Sequence, residues 1–320
     1  MKKTVRAHTN IALIKYWGKA DDHLRLPLMS SLSLTLDAFY SDTSVEKTDG
    51  PNAFYLNGKK KNAADSKRVF NYLHLLQTKF GLAGNLIVHS TNHVPTSAGL
   101  ASSSSAFAAL AAAFCACYQI DVDKKELSRL ARIGSGSASR SIYGGFAVWQ
   151  KGHDDESSYA YALDEHPPMD LQLLAVELNS GPKKLSSTKG MKEAQTSPFF
   201  KPWIKRNDSE LKQMVSAINN EDFTKLGSLA ELNANEMHAV NFTAQPGFTY
   251  FEPDTIRAIK LVESLRENSI ECYYTIDAGP NVKVLCQLRN VKEIIKNFES
   301  EFKNVKIIEA SFGSGISYLN

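Results

Sequence analysis

The spacing of hydrophobic residues changes several times along the chain, and each spacing predicts a different kind of element. Apolar and polar residues alternate over 4–9 and again over 26–49, which predicts first one strand and then a pair of strands. Over 65–80 the apolar residues recur at helical spacing, and Gly81 closes that pattern. The first part of the chain therefore consists of strands placed before and around helices.

The second part of the chain mixes helical and strand-like patterns. These are a buried strand at 171–178, two helices over 208–237, a helix capped by Asp254, two strands over 272–288, a last helix and a closing strand. The order helix, two strands, helix and strand fits a ferredoxin-like α+β unit. Composition shifts at HPPMD, residues 166–170, so we predict two domains at 1–170 and 171–320.

Residues 92–118, NHVPTSAGLASSSSAFAALAAAFCACY, join a loop of small residues to an Ala-rich helix. Small residues around Gly99 let the backbone approach a ligand closely, and the Ala-rich run is a strong helix former. Unpaired N–H groups at the helix N-terminus suit a phosphate, and the serine hydroxyls add donors or a metal contact. The segment contains neither GK[ST] nor GxGxxG, so composition alone supports a Ser-capped buried helix equally well.

Two further segments place cations beside small polar residues. The turn after the first strand holds Lys15, Tyr16 and Lys19, which by themselves indicate surface residues more readily than a site. The segment GSGSASRS, residues 134–141, brings backbone donors together with the guanidinium of Arg140. A planar guanidinium suits a carboxylate, and the alternative is a Gly/Ser connector with a solvated arginine.

Other polar residues allow both a functional and a structural interpretation. The segment NSGPKKLSSTKG, residues 179–190, indicates either an anion site or a solvated basic loop. Asp277 ends an apolar strand before a Gly-Pro turn, where an aspartate is often only a turn former. His89 and His93 flank the Gly99 loop without a third ligand nearby, so we interpret both as structural.

Composition and charge narrow the class of protein. The net charge is only +3 and the basic residues are scattered, which argues against nucleic acid as a partner. The N-terminus lacks the apolar core of a signal peptide, and the run at 106–118 is shorter than the roughly 20 residues that span a bilayer. The four cysteines match no zinc or redox motif, which predicts reduced thiols and a cytoplasmic protein.

Four motifs together resemble the diphosphomevalonate decarboxylases, within the galactokinase, homoserine kinase, mevalonate kinase and phosphomevalonate kinase (GHMP) superfamily. They are AHTNIALIKYWGK at 7–19, PTSAGLASSSSA at 95–106, GSGSASRSIYGG at 134–145 and DAGPN at 277–281. Ser97 and Ala101 stand where kinases of the superfamily carry glycines in PxGxGLGSSAA, a variant typical of the decarboxylases. The resemblance spans nearly the whole chain. It implies an α+β, two-domain GHMP-kinase-type fold, with an N-terminal ribosomal-protein-S5-domain-2-like half and a C-terminal ferredoxin-like half.

The resemblance implies a role for each matching residue. The catalytic set would be Asp277 as the carboxylate that accepts a proton, Arg140 as the group that grips the C1 carboxylate, and Lys19. Substrate contacts are implied for Ala7, Tyr16, Lys19, Ser135, Gly136, Ser137, Arg140 and Ser187. Nucleotide contacts are implied for Pro95, Ser97, Ala98, Gly99, Leu100, Ala101, Ser102, Ser103 and Ser105, and Ser105 would also be a Mg2+ ligand.

The implied reaction converts (R)-5-diphosphomevalonate and ATP to isopentenyl diphosphate, ADP, phosphate and carbon dioxide, with Mg2+. Hydroxide is a poor leaving group, so phosphorylation of the 3-hydroxyl would prepare its departure, without a Schiff-base or redox cofactor. The resemblance also suggests a homodimer. Three alternatives stay open: a 3-kinase that stops after phosphoryl transfer, a decarboxylase of the monophosphate, and a catalytically silent phosphate-ligand sensor. Also open are the role of Asn281 and which of Lys183, Lys184 and Lys189 contacts phosphate.

Overall fold

The structure is a computed structural model that describes residues 3–94, 102–179, 181 and 185–319 of the chain. The first half contains β1 (Thr4–Ile14), β2 (Lys19–Asp21), β3 (Leu26–Pro27), β4 (Ser31–Thr48), β5 (Ala53–Leu56), β6 (Lys59–Lys60), α1 (Ala63–Lys79), β7 (Asn85–Asn92), α2 (Ser102–Tyr118), α3 (Lys124–Gly134), a 3₁₀ helix (Gly136–Ile142), β8 (Phe146–Trp149) and β9 (Ala160–Asp164). The second half contains β10 (Gln172–Glu177), α4 (Ser187–Ala194), α5 (Phe200–Asn219), α6 (Phe223–Phe242), α7 (Pro253–Glu267), β11 (Cys272–Thr275), β12 (Val282–Cys286), α8 (Leu288–Glu301), β13 (Lys306–Ala310) and β14 (Ser317–Leu319).

A long strand organises the first sheet. Instead of the predicted pair of strands over 26–49, β4 runs for 18 residues after the two-residue strand β3. Its first part pairs with β8 and its last part with β7, while β1 pairs with both parts. The register with β1 shifts where His8 faces Tyr40 but Asn10 faces Thr35, so the intervening residues of β4 bulge outwards. The alternation of apolar and polar residues that predicted two strands therefore belongs mostly to the single strand β4.

The Ala-rich helix α2 packs against the first sheet, as its sequence predicts. Five of its seven alanines are almost completely buried, α2 packs against β1 and β4, and Phe107 and Phe114 join the same core. Small side chains let a helix lie close to a sheet, so α2 is buried around most of its circumference rather than along one stripe. The start of α2 is therefore fixed relative to β1.

The second sheet has the strand order β11-β12-β10-β13 and is antiparallel throughout. With α7 and α8 on one face, it forms the predicted ferredoxin-like unit. The other face of the sheet carries Leu173 and Leu285, which share a core with α5, α6 and residues such as Ile11 of β1. The two halves are therefore joined by one continuous hydrophobic core.

The C-terminal segment returns to the first half. The last strand, β14, pairs with β1 through Thr4 and Leu319, although residues 317–319 fall within the second predicted domain. The boundary near residue 170 stays a prediction, and the pairing of β14 with β1 lies across it. The N-cap of α7 is Glu252 rather than the predicted Asp254, because Pro253 lacks an N–H and fits the first helical position.

The state of the cysteines and the hydropathy of the helices can be read from the described residues. All four cysteines are free, and burial raises the pKa of the Cys115, Cys272 and Cys286 thiols to about 12. Thiols with such pKa values are mostly protonated and weakly nucleophilic. Within the described ranges no helix combines enough length and hydropathy to cross a bilayer.

Close packing of α6 on β11 yields a stability prediction. A Cβ at Gly227 would lie 2.0 Å from Cδ2 of Tyr273, so the ring would have to move. We expect Gly227→Ala to lower the free energy of unfolding by about 2 kcal/mol, because overpacking outweighs the gain of about 1 kcal/mol in helix propensity. Urea denaturation measures this change. The exposed neighbour Ser228→Ala is the control, expected within about 0.5 kcal/mol of the wild type; equal stability of both variants would contradict the packing argument.

Candidate active site

A cavity of about 300 Å3 lies between the two halves, where β1, the 3₁₀ helix, α4 and the turn after β11 meet. It brings together predicted residues from all parts of the chain, namely Tyr16, Lys19, Ser103, Ser135, Gly136, Ser137, Arg140, Ser187 and Asp277. Its size suits a small organic substrate. The turn residues after β1, which by pattern alone indicated a surface, thus face a cleft.

Several predicted site residues lie elsewhere. Ala7 is completely buried in the core beneath α2 and does not line the cavity. Ser102 lines a neighbouring cavity instead. Lys189 is exposed and lies 3.6 Å from Glu193. Other predicted residues lie outside the described ranges: Pro95, Ser97, Ala98, Gly99, Leu100, Ala101, Lys183 and Lys184.

A change of face along β1 explains why Ala7 is absent from the cavity. Before the register shift, Val5 and Ala7 point into the core beneath α2, whereas after it Ile11 and Leu13 point into the core shared with the second half. The opposite side of the later part, including Asn10, therefore turns towards the cavity. Strict alternation from Ala7 onwards does not reveal such a shift.

Lys15 and Asp277 form the central ion pair of the cavity. Lys15 Nζ lies 2.7 Å from Asp277 Oδ1, and it also donates to Thr275 Oγ1 at 2.7 Å and to the Ala12 carbonyl oxygen at 2.9 Å. The Lys15 side chain is 1% exposed, whereas that of Asp277 is 24% exposed. Burial lowers the pKa of Lys15, although the Asp277 carboxylate opposes that shift. Sequence reasoning missed this role of Lys15, although the residue lies within the first motif.

Arg140 is the second buried cation. It donates to Ser31 Oγ and, at 3.1 Å, to Asn10 Oδ1, and it is 2% exposed. Its Nε is buried without a hydrogen-bond partner among the described residues. Burial lowers the pKa of Arg140 to about 10, while the nearby Asp277 carboxylate acts in the opposite direction. A buried guanidinium with only neutral hydrogen-bond partners leaves room for an anionic ligand.

The 3₁₀ helix and the start of α2 form one wall through serine contacts. Ser103 Oγ lies 3.2 Å from Ser135 Oγ, and Ser135 Oγ lies 3.4 Å from Ser137 Oγ. Gly136 lies so close to Tyr16 that an added Cβ would be 2.8 Å from the phenol oxygen. Burial raises the pKa of Tyr16, so its hydroxyl is a hydrogen-bond donor. The two predicted motifs thus present several hydroxyl donors on one side of the cavity.

Arg25 and Arg68 also line the cavity, and no motif indicated either residue. Arg25 Nε donates to the Ile133 carbonyl oxygen at 2.6 Å, and Arg68 donates to that of Gly134 at 3.1 Å. Both guanidinium groups therefore lie beside the end of α3. Arg25 lies between the two very short strands β2 and β3, and Arg68 lies on α1. Their positions in the sequence match no motif that would indicate a binding site.

His238 lies behind Asp277 without reaching the cavity. Its Nε2 lies 3.3 Å from the carbonyl oxygen of Ile276, and the side chain is 2% exposed. Burial lowers the pKa of His238 to about 3, so the ring is neutral at physiological pH. Among the cavity-lining residues described, Asp277 alone is acidic and none is a histidine.

A smaller, more apolar cavity of about 220 Å3 lies between β5, β7, α1 and α2. Phe54, Val88 and Leu110 contribute apolar surface, and Ser102 and Arg68 provide polar groups. Ser103 and Arg68 line both this cavity and the larger one. An apolar space that shares hydroxyl and guanidinium groups with the larger cavity suits a nucleotide base.

The described residues do not support Ser105 as a metal ligand. Its side chain is completely buried, and Oγ lies 3.1 Å from Thr9 Oγ1 and 2.9 Å from Ser41 Oγ. No group of three His, Cys, Asp or Glu residues suited to a metal occurs in the parts of the chain described. Mg2+ usually keeps several waters and binds through substrate phosphates and one or two carboxylates. Asp277 fits this limited protein contribution.

Comparisons with known proteins match this fold over its full length. A model of the diphosphomevalonate decarboxylase-like N-terminal domain matches residues 7–160, and one of the mevalonate 5-diphosphate decarboxylase C-terminal domain matches residues 173–317. The diphosphomevalonate decarboxylase of Ganoderma lucidum is 33% identical over 338 residues, covering 97% of this chain and 84% of that protein. The matches thus include all four motifs.

Solved structures give the same result. The crystal structure of mevalonate diphosphate decarboxylase from Staphylococcus aureus has 42% sequence identity and a TM-score of 0.95, covering 100% of this chain and 98% of that chain. A structure of MDDEF in complex with MVAPP, AMPPCP and magnesium has 43% identity and a TM-score of 0.93, covering 100% and 99%. Fold and matches define a two-domain α+β enzyme of the GHMP type, as predicted. Within that class, the chain belongs to the diphosphomevalonate decarboxylase family.

A network beneath the cavity supports Lys15 from the second half. The Lys15 backbone N–H donates to Asn233 Oδ1 at 2.7 Å, and Asn233 Nδ2 donates to Glu210 Oε2 at 2.6 Å. Arg206 lies 3.0 Å from Glu210 Oε1 and 3.2 Å from Glu236 Oε1. Burial, and then the neighbouring Glu210 carboxylate, raise the pKa of Glu236 to about 7. The carboxyl groups of Glu210 and Glu236 thus both pair with Arg206.

The raised pKa of Glu236 predicts a pH-dependent stability. The pKa of Glu236 is about 7 in the folded chain, against about 4.3 in the unfolded chain. Protonation of Glu236 therefore stabilises the folded chain fully at pH values below about 4.3, and this contribution is lost as the pH rises through 7. We expect Glu236→Gln to raise the free energy of unfolding at pH 8, on the order of 1 kcal/mol, with almost no gain at pH 4. Thermal unfolding at both pH values measures this. The exposed Glu299→Gln is the control; an equal gain at pH 4 and 8 would contradict the linkage.

Proposed function

We propose that Asp277 is the general base in the ATP-dependent decarboxylation of (R)-5-diphosphomevalonate by this chain. The observation that carries the proposal is the position of its carboxylate, which lines the cavity 2.7 Å from the buried Lys15 ammonium. The same cavity includes the buried guanidinium of Arg140. A carboxylate between two fixed cations can orient a hydroxyl group and accept its proton, a contribution worth about a hundred- to ten-thousandfold in rate.

Lys15 prepares Asp277 for this task. Its three oxygen contacts fix the ammonium, and the ammonium in turn fixes the orientation of Asp277 Oδ1. A positive charge at this distance also stabilises the ionised form of a carboxylate. The base is therefore held in position before substrate binds, and orientation contributes strongly to such reactions.

Arg140 binds the C1 carboxylate of the substrate. Its Nε has no partner among the described residues, and a carboxylate would satisfy that donor. Binding the carboxylate fixes the C1–C2 bond relative to the 3-hydroxyl that faces Asp277. Once the 3-hydroxyl has become a phosphate leaving group, its departure and the loss of carbon dioxide yield the alkene. Arg140 thus orients the bond that breaks.

Phosphate groups occupy the remaining donors. Tyr16, Lys19 and Ser187 line one part of the cavity and suit the substrate's diphosphate. The start of α2 with Ser103 suits the phosphates of ATP, whose base fits the neighbouring apolar cavity. When bound, ATP supplies the phosphoryl group and Mg2+ neutralises charge on the phosphates. The homodimer and the cytoplasmic location stay predictions.

One assay separates this reaction from the alternatives. Purified protein is incubated with ATP and Mg2+ and, in parallel, with mevalonate, its monophosphate or its diphosphate. We expect ADP and carbon dioxide in equal amounts with the diphosphate alone. ADP without carbon dioxide would indicate a 3-kinase, turnover of the monophosphate would indicate the related decarboxylase, and no ADP with any substrate would indicate a sensor.

The role of Asp277 gives a separate prediction. We expect Asp277→Asn to lower kcat for carbon dioxide release by about a hundredfold or more, because the amide cannot accept the proton. Binding of an ATP analogue, measured by calorimetry, should change little. Asp254→Asn removes an exposed carboxylate that pairs with Arg257 and is the matched control, with wild-type kcat expected. Full turnover by Asp277→Asn would require a different base.

A further inference from the structure

We propose that Arg25 is a specificity-determining residue that binds the terminal phosphate of the substrate's diphosphate group. The inference rests on the proposed function, because it assigns a further residue to the same substrate. Arg25 belongs to none of the four motifs and reaches the cavity from the turn between β2 and β3.

The backbone holds Arg25 in an unusual conformation. Its φ is +52°, in the left-handed region that long side chains adopt rarely. The preceding turn is fixed by Asp21 Oδ1, which accepts the Leu24 N–H at 2.6 Å. Arg25 Nε then donates to the Ile133 carbonyl oxygen at 2.6 Å. These contacts fix Arg25 in the lining of the cavity, which Ser135 also lines.

The charges lining the cavity are unbalanced. Five described cationic side chains and one acidic side chain line it: Lys15, Lys19, Arg25, Arg68, Arg140 and Asp277. Lys15 pairs with Asp277, and Lys19 lies 2.8 Å from Asp22. Within the part of the chain that the structure describes, Arg25 and Arg68 form no ion pair and donate only to backbone carbonyl groups. The two arginines therefore leave a positive charge that a polyanion can neutralise.

Arg25 and Arg68 are also close enough to affect each other. They donate to the carbonyl oxygens of the successive residues Ile133 and Gly134. Burial and the neighbouring Arg25 charge both lower the pKa of Arg68. Two like charges held together in this way favour a ligand that carries several negative charges over one that carries few.

The neighbouring cavity separates the roles of the two arginines. Arg68 lines the apolar cavity that we assign to the nucleotide, and Arg25 does not. Arg25 and Tyr16 line the active-site cavity together, and the Arg25 charge opposes the effect of burial on the pKa of Tyr16. Arg25 therefore faces the predicted diphosphate site. A monophosphate would lack the outer phosphate that this guanidinium neutralises.

The test uses Arg25→Asn, because asparagine removes the charge yet tolerates a left-handed backbone. We expect KM for diphosphomevalonate to rise about 10- to 100-fold, with KM for ATP changed less than about twofold and kcat nearly unchanged. Inorganic diphosphate should also become a weaker competitor of diphosphomevalonate. Arg25→Lys keeps the charge but loses the planar group, and should recover part of the affinity.

Lys67→Gln is the matched control. Lys67 is an exposed cation that lines a groove with Arg25 and Arg68 but does not line the active-site cavity. We expect wild-type KM values for this variant, and an equal increase in both variants would indicate only a general loss of positive charge. An unchanged KM for diphosphomevalonate in Arg25→Asn, or an increase confined to ATP, would overturn the assignment. Absence of turnover by the wild type would instead contradict the proposed function.

Discussion

The ion pair between Lys15 and Asp277 connects the two halves at the point where chemistry is expected. Lys15 follows β1 of the first sheet, and Asp277 follows β11 of the second. Removing an ammonium group from water costs several kcal/mol, and a buried lysine is tolerated only when polar atoms surround it. Three oxygen atoms surround this one. Because these oxygens come from both halves, a relative displacement of the halves would expose or unpair the charge.

The packing around this pair explains how a single core can serve both sheets. Ile11 of β1 and Leu173 of β10 belong to one hydrophobic cluster, and α6 packs against both β1 and β11. Asn233 on α6 accepts the Lys15 backbone N–H, so the helix fixes the main chain as well as the apolar surface. Polar and apolar contacts thus restrain the same segment, which fixes Lys15 and its partner Asp277 relative to the cavity.

The sequence patterns predicted the helices and strands better than they predicted which side of an element each residue occupies. The helical spacing over 65–80 and the Ala-rich run correspond to α1 and α2, and the order of elements after residue 250 predicted the ferredoxin-like unit. Ala7 lies in the core beneath α2, because the register shift between β1 and β4 changes which core β1 faces, and no local residue type marks that shift. The functional motifs were found through resemblance, which identifies residues without giving their contacts.

One physical reason explains why the sequence did not indicate the positions of Lys15, Arg25 and Arg68 in the cavity. The burial of Lys15 depends on residues more than 200 positions away, including Asn233 and Thr275, and a lysine in a polar turn otherwise indicates solvent. Arg25 and Arg68 come together at the end of α3, where they donate to the carbonyl oxygens of two successive residues. Such convergence is a property of tertiary packing and has no local period. Charge counting along the chain gave a net charge of +3, which conceals the excess of cations within the cavity.

The unequal exposure of these cations suits a reaction that changes the charge of its substrate. Arg140 is buried, with one donor lacking a partner among the described residues, whereas Arg25 lies nearer the surface. In the proposed mechanism a substrate carboxylate would satisfy the buried donor, and loss of carbon dioxide would remove that anion and leave the donor unpaired again. The diphosphate, by contrast, is common to substrate and product, so its contacts contribute equally before and after the reaction. Under the proposed assignment, discrimination between substrate and product depends on Arg140, while the cations proposed to bind the diphosphate provide affinity for both.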